Sequence, residues 1–232
     1  MTKSLDPRSL DRPSIASHEK RTVHLRGFLL GAGYFHAAEA MDYAAGFHSG
    51  ARRDGRTPEF AHQVYIVSYL STLLPHLRHP EETLTVGFLH DVVEDHGVSL
   101  TEIEARFGPL VASATDAMSK EVDGVRRGAE AVAQRQAGDP VASIVKAADR
   151  INNQQTMPGV FTEAKILDYL TETRTHVLPM IKQAQRRFPD QDLAYKNART
   201  VLFAQIEMLE AALSGLLGTT PHRPTDTTPH HH

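Results

Sequence analysis

The residues best suited to chemistry in this chain are one histidine and three carboxylates that lie within six positions. His90 and Asp91 are adjacent, and Glu94 and Asp95 follow four residues after each of them. Residues four apart share one face of a helix, so a single turn would present an imidazole and three carboxylates together. Carboxylates this close repel one another unless a proton or a cation compensates their charge. Nitrogen and oxygen ligands suit Mn²⁺, Fe²⁺ or Zn²⁺, so the cluster indicates a divalent metal site.

Two other segments offer the additional ligands that a metal needs. His62 lies at the start of an apolar helix after an arginine-rich loop, and Asp149 ends the apolar stretch 144–148. Taken singly, His62 could be a core or capping histidine, Asp149 could pair with Arg150, and the acidic helix end could be a solvated face. Taken together, they favour one metal held by three helices, with positions left for water and substrate.

The composition excludes several other classes of protein. The 232 residues include 25 Lys and Arg against 28 Asp and Glu, and 41% are hydrophobic. Such a chain is not disordered throughout, and without a basic excess we expect no nucleic-acid binding. The absence of cysteine excludes disulfide scaffolds and thiolate zinc sites. The polar N-terminal segment has no secretory signal or membrane span, so we expect a cytoplasmic protein that does not enter a membrane.

Glycine and proline separate long segments with helical spacing, which predicts an all-α fold. The predicted helices are 15–31, 34–49, 62–78, 80–95, 99–107, 109–119, 122–137, 139–156, 162–187 and 190–215. Pro80, Ser99 and Asp139 are typical of helix N-termini. We expect one domain over 15–215, a flexible N-terminus at 1–14 and a disordered tail at 216–232. The last three histidines of that tail could be native or the remnant of a tag.

Five stretches of the chain follow one another at the spacing of a known family. They are Ala40-x-x-Tyr43-Ala44…His48-x-Gly50-x-Arg52-Arg53-x-Gly55-x-x-Pro58…His62, Leu89-His90-Asp91-Val92-Val93-Glu94-Asp95, Leu100-Thr101-x-x-Glu104…Phe107-Gly108-x-x-Val111, Lys146-Ala-Ala-Asp149-Arg150-x-x-Asn153-x-x-Thr156, and Tyr169-x-x-Glu172-Thr173…Leu178-Pro179. In this order they resemble the HD-domain metal-dependent phosphohydrolases. Within that family the resemblance is to the hydrolase domain of the Rel/Spo enzymes and to the stand-alone small alarmone hydrolases.

This resemblance implies an HD-domain helical bundle of about ten helices. It also implies one Mn²⁺ ion per chain, although another divalent metal would serve. The implied metal ligands are His62, His90, Asp91 and Asp149. The implied catalytic residues, which position or activate the attacking water, are Glu94 and Asp95.

The resemblance further implies hydrolysis of the 3′-pyrophosphate of ppGpp or pppGpp to GDP or GTP and pyrophosphate. The partner would thus be a small nucleotide, and no feature of the sequence sets an oligomeric state. The implied substrate-binding residues are Arg52, Arg53, Asn153 and Thr156. An arginine plane can stack on guanine, and its charge suits phosphate.

One departure from the family pattern leaves other substrates open. Gln63 stands after the first histidine, where the family usually has proline. The alternatives are an HD-fold phosphatase of another nucleotide, such as the 2′-phosphate of NADPH, and a catalytically silent nucleotide-binding module. Arg56 and the pair Arg126-Arg127 are additional basic candidates near the substrate, although the pair is equally typical of a solvated surface.

Overall fold

Twelve α-helices build residues 15–122 and 124–218, the part of the chain that the computed structural model describes. They are α1 Ile15–Gly31, α2 Phe35–Ala45, α3 Ala61–Ser71, α4 Pro80–Leu89, α5 Val92–His96, α6 Leu100–Phe107, α7 Pro109–Met118, α8 Ala129–Ala137, α9 Pro140–Thr156, α10 Glu163–Glu172, α11 Leu178–Arg187 and α12 Asp192–Gly218. The all-α prediction is confirmed. The predicted flexible segment 1–14 and residues 219–232 of the predicted tail lie outside the described residues, whereas 216–218 belong to α12.

The predicted helix starts have the expected capping contacts. The Ser99 hydroxyl accepts a hydrogen bond from the backbone N–H of Glu102 at 3.1 Å. The Asp139 carboxylate accepts bonds from two backbone N–H groups at the start of α9, both at 2.8 Å. Pro80 occupies the first turn of α4, where its missing N–H has no helical partner to lose. Local side-chain chemistry therefore sets these boundaries.

Three predicted helices are not single regular α-helices. The predicted helix 62–78 ends at Ser71, and only a 3₁₀ turn follows at Leu74–His76. The predicted helix 80–95 breaks at His90 and Asp91, between α4 and α5. The ring Nδ1 of His90 lies 3.0 Å from the carbonyl oxygen of Gly87, which a continuous helix would use as the acceptor for the Asp91 N–H. The predicted helix 162–187 contains a π-helix at Thr173–Val177, where the Thr173 hydroxyl donates to the carbonyl of Tyr169 at 2.7 Å.

The first part of the predicted helix 122–137 is also wrong, because the chain forms a hairpin there. Strand β1, Glu121–Val122, pairs antiparallel with β2, Val125–Arg126. Gly124 has a φ of 75°, a left-handed conformation that favours the turn over a helix. The Arg127 guanidinium then pairs with the Asp116 carboxylate at 2.7 Å, which ties the hairpin to α7.

Helices α3, α4 and α9 pack on one another in the centre of the hydrophobic core. A methyl group at Gly87 of α4 would lie 2.8 Å from Cγ2 of Val67 and 3.1 Å from Cδ1 of Leu70, both on α3. Only a residue without a side chain permits this approach. Among the described residues, no helix is long and apolar enough to cross a membrane.

We expect Gly87→Ala to lower the free energy of unfolding by about 1 kcal/mol, because overpacking outweighs the higher helix propensity of alanine. The matched control is Gly27→Ala in α1, where an added methyl has no neighbour within 4 Å. That variant should be as stable as the wild type or more stable. Thermal and urea denaturation measure both, and a stabilised Gly87→Ala variant would contradict this account of the helix packing.

Candidate metal centre and cavity

Three of the four predicted metal ligands meet where α3 faces the break between α4 and α5. One ligand atom from each of His62, His90 and Asp91 lies within 4.8 Å of the other two. The Asp91 Oδ2 atom is 2.9 Å from Nε2 of His90 and 3.9 Å from Nε2 of His62. The fourth, Asp149 on α9, places Oδ1 3.3 Å from Nε2 of His62. The structure thus assembles all four residues, and their role as ligands stays a prediction.

The second ring nitrogen of each histidine is held from outside the cluster. The Nδ1–H of His62 donates to the side-chain oxygen of Asn152 at 2.7 Å, and the Nδ1–H of His90 donates to the carbonyl of Gly87 at 3.0 Å. In this tautomer both Nε2 lone pairs face carboxylate oxygens. The His90 Nε2 atom is buried and has no hydrogen-bond partner of suitable geometry within the described chain. Nitrogen and oxygen lone pairs directed at one another need a proton or a cation between them, so this donor set fits a divalent metal.

Asp149 is fixed by neighbours on its own helix. The Lys146 ammonium lies 2.7 Å from Asp149 Oδ2, and the Asn153 amide donates to Asp149 Oδ1 at 2.6 Å. The alternative pairing of Asp149 with Arg150 does not form. Arg150 instead pairs with Oε1 of Glu172 at 2.8 Å. The aspartate is therefore oriented towards the cluster by a lysine and an amide on the same helix.

The electrostatics of the cluster keep both aspartates ionised. Burial opposes the charged form of His90, but Asp91 and Asp149 outweigh it and raise the pKa of His90 to about 9. Desolvation would raise the pKa of Asp91, yet the neighbouring His90 lowers it. Desolvation likewise opposes ionisation of Asp149, and Lys146 with His62 holds its pKa well below the usual range. At neutral pH, the metal-free cluster holds a proton on His90.

The two predicted catalytic acids lie on α5 at the edge of this cluster. Glu94 uses Oε2 to accept a hydrogen bond from the backbone N–H of Lys120 at 2.9 Å, which links it to the start of the hairpin. Partial desolvation, and then the charges of Asp91 and Glu94, raise the pKa of Asp95. Both acids are exposed at a cavity of about 790 Å³, which the metal cluster also lines.

The predicted substrate residues lie on the wall of the same cavity. Arg52 is half-buried, with Nη2 3.4 Å from the Thr156 hydroxyl and Nη1 3.5 Å from the Asn152 side-chain oxygen. Burial lowers the pKa of Arg52. The Arg53 guanidinium lies over the Phe161 ring, 5.1 Å from its centroid. Each of the predicted residues Arg52, Arg53, Asn153 and Thr156 therefore lines the cavity.

Two groups of basic candidates lie elsewhere. Arg56 is exposed and is absent from the cavity wall, although it belongs to the same loop as Arg52. Arg126 and Arg127 line a second, smaller cavity. Arg127 is half-buried and paired with Asp116, so the expectation of a freely solvated surface residue is wrong for it.

Several residues in the cavity wall were not among the predicted site residues. Asn152 holds His62, and its position three residues after Asp149 on α9 was the available signal. The amide of Gln63 lies 3.1 Å from Nε2 of His48, which places the departure from the family pattern in the wall. His18 comes from α1 and packs edge-on against Tyr65 at 5.7 Å, a contact that no local motif encodes.

The chain is similar to several known proteins. Residues 40–157 match the family model of the HD domain. A probable guanosine-3′,5′-bis(diphosphate) 3′-pyrophosphohydrolase of Synechocystis sp. is 29% identical over 73% of this chain and 23% of the relative. A GTP pyrophosphokinase of Streptomyces coelicolor is 32% identical over 51% of this chain and 14% of the relative. The GTP pyrophosphokinase rsh of Brucella ovis is 27% identical over 61% and 19%.

A solved structure supports the fold. It is described as a metazoan ortholog of SpoT that hydrolyzes ppGpp and plays a role in starvation responses. It aligns with a TM-score of 0.55 and 21% identity over 70% of this chain and 93% of that chain. The chain spans less than a quarter of the length of these three curated relatives. Residues 40–157, which match the family model, include the helices that carry the metal cluster.

We expect metal binding to release about one proton per chain at pH 7.5, because His90 has a pKa of about 9 and must lose its proton to bind a metal. The apparent affinity for Mn²⁺ should therefore rise about tenfold per pH unit between pH 6 and 8. Isothermal titration calorimetry in buffers of different ionisation enthalpy counts the protons.

The variant His90→Ala should lose this metal binding, whereas His24→Ala, on an exposed face of α1, should behave as the wild type. Metal binding without proton release would contradict the protonation state that we assign to the metal-free cluster.

Proposed function

The chain belongs to the HD domain family, and from this premise we propose that it hydrolyses the 3′-pyrophosphate of ppGpp and pppGpp. In this reaction a water oxygen bonds to the phosphorus attached to O3′, and the bond from that phosphorus to O3′ breaks. The 3′ oxygen takes up a proton, and the products are GDP or GTP and pyrophosphate. The observation that carries the proposal is the convergence of two imidazole Nε2 atoms and two carboxylates beside one nucleotide-sized cavity.

We assign the metal to the four residues of the cluster and propose Mn²⁺ as the ion. The ligands would be His62, His90, Asp91 and Asp149. When bound, such a cation supplies a Lewis acid that polarises a phosphate oxygen and makes water a better nucleophile. The supporting observation is the outer hydrogen bonds of both imidazoles, which leave each Nε2 free for coordination.

The two acids of α5 would have different tasks. Asp95 has a raised pKa, and a carboxylate of raised pKa is better suited to take a proton from the attacking water. Glu94 is tied to the backbone N–H of Lys120, which suits it to orient the water or substrate. Asp95 is therefore the proposed general base and Glu94 the proposed orienting group.

The nucleoside would lie towards the C-terminal end of α9. The half-buried Arg52 guanidinium faces Thr156, and a planar cation that is short of solvent is suited to stacking on a guanine ring. Arg53 is exposed at the cavity and suits a phosphate oxygen. Asn153, which donates to Asp149, would link the nucleoside contact to the metal cluster. The names of the curated relatives, which act on guanosine bis(diphosphate) or GTP, support this assignment.

The test is pyrophosphate release from ppGpp by the Mn²⁺-loaded protein. Removing a ligand, in His90→Ala or Asp91→Ala, should lower kcat/KM by more than about 100-fold, since loss of an outer partner alone costs about 10- to 100-fold. Asp95→Asn should lower kcat by about 100- to 10,000-fold while the protein still binds metal. The control Asp190→Asn changes an exposed acid in a turn away from the cavity and should leave kcat unchanged.

Two results would contradict the proposed function. An inert metal-loaded wild type would remove the alarmone as substrate, and release of phosphate from NADPH in the same assay would identify another nucleotide. Equal turnover by Glu94→Gln and the wild type would show that Glu94 has no part in the chemistry.

We expect Arg52→Ala to raise KM for ppGpp by about tenfold with a smaller change in kcat, because it removes a cation–π contact with the base rather than a reacting group. Arg56→Ala is the matched control, since it removes the same charge from the same loop but outside the cavity wall. Steady-state kinetics separate the two constants. Equal effects of the two variants would assign the role of Arg52 to the charge of the loop alone.

A further inference from the structure

A second cavity of about 270 Å³ lies next to the first and shares part of its wall. Lys120, Lys146 and Glu172 line both cavities. The second cavity has the volume of roughly nine water molecules at about 30 Å³ each, enough for a hydrated diphosphate. It opens between the hairpin, α8 and the π-helix.

Along α9, the second cavity and the proposed nucleoside contacts lie on opposite sides of Asp149. Lys146 lies three residues before Asp149, or about 4.5 Å towards the N-terminus at 1.5 Å per residue. Thr156 lies seven residues after Asp149, or about 10.5 Å in the other direction. Lys120 lies beside Glu94, because its backbone N–H donates to that carboxylate. A nucleotide with its sugar near Thr156 and its 3′-diphosphate at the metal cluster would direct the diphosphate towards the second cavity.

The wall of the second cavity is strongly basic. Its basic side chains are Lys120, Arg126, Arg127, Lys146 and His176, and among the described residues of this wall Glu172 is the one carboxylate. Burial would raise the pKa of Glu172, but Arg150, with smaller contributions from Lys146 and Lys120, lowers it. Lys120 and Lys146 thus place two cations, beside the single carboxylate of Glu172, at the boundary between the two cavities.

Among the described residues, two of these cations have no carboxylate partner. Arg127 pairs with Asp116 and Lys146 pairs with Asp149, both at 2.7 Å. Within residues 15–122 and 124–218, the side chains of Lys120 and Arg126 have no acidic partner within 4.0 Å. Lys120 lies where the two cavities join, and Arg126 lies on β2 in the wall of the second cavity alone.

From these observations we propose that the second cavity binds the pyrophosphate group that the reaction releases, with Lys120 and Arg126 as its ligands. This inference rests on the proposed function. After the bond to O3′ breaks, the diphosphate carries the oxygen of the attacking water and several negative charges. Lys120 where the two cavities join and Arg126 in the second cavity, neither with an acidic partner among the described residues, then attract it away from the carboxylates of the metal centre. The second cavity is thus the first binding site that pyrophosphate occupies as it leaves the metal centre.

Product inhibition of the Mn²⁺-loaded protein tests this proposal. Arg126→Ala should raise the inhibition constant of inorganic pyrophosphate about tenfold, the loss expected for a charge-assisted contact, and leave that of GDP unchanged. Arg126→Lys should restore most of the affinity because it keeps the charge. The control Arg186→Ala removes an exposed arginine of α11 that lines neither cavity. Circular dichroism and metal content should be the same for all four proteins.

Direct calorimetry of pyrophosphate with the metal-loaded protein distinguishes a failure of the pyrophosphate site from a failure of the proposed hydrolysis. If ppGpp is hydrolysed but Arg126→Ala and Lys120→Gln bind pyrophosphate as tightly as the wild type, the second cavity has no role and this inference is wrong. If ppGpp is not hydrolysed but both variants bind pyrophosphate more weakly, the anion site stands and the proposed function fails. A parallel loss of affinity for GDP would overturn the assignment to pyrophosphate.

Discussion

The structure depends on one electrostatic constraint, which is that two imidazoles and two carboxylates must lie together inside an apolar core. Charges are costly to bury unless partners compensate them. Here three of the four groups have a partner outside the cluster: Asn152 for His62, the Gly87 carbonyl for His90, and Lys146 with Asn153 for Asp149. Helices α3, α4 and α9 must pack closely for these contacts to form. The side-chain-free surface at Gly87 permits that packing.

Three irregular elements of the described fold border the cavities. The break between α4 and α5 positions His90 and Asp91, and the hairpin at 121–126 follows the residue that holds Glu94. The π-helix at 173–177 begins directly after Glu172, the partner of the buried Arg150. Side chains that bond to helix carbonyls compete with the regular hydrogen bonds. Kinks and π-turns are therefore frequent where side chains form a functional site. The regular helices form the frame, and the departures from regularity shape the site.

The near balance of charge along the chain conceals a separation of charge in space. The carboxylates gather at the metal cluster, Arg52 and Arg53 lie towards one end of the cavity, and Lys120 and Arg126 lie towards the other. An anionic substrate with two phosphorylated positions fits a surface with cations on both sides of an acidic centre. A net charge of −3 at pH 7 carries no trace of this arrangement.

Patterns within about one helical turn could be predicted from the sequence, and contacts between distant segments could not. The spacing of the histidines and acids, the caps at Ser99 and Asp139, and the all-α class all follow from local chemistry. The break at His90, the Glu172 partner of Arg150 and the second cavity were decided by tertiary structure. His62 and Asn152 are 90 residues apart, and Arg52 and Thr156 are 104 apart. The amino-acid sequence by itself determined which side chains could bind a metal, whereas packing decided which of their lone pairs remained free to do so.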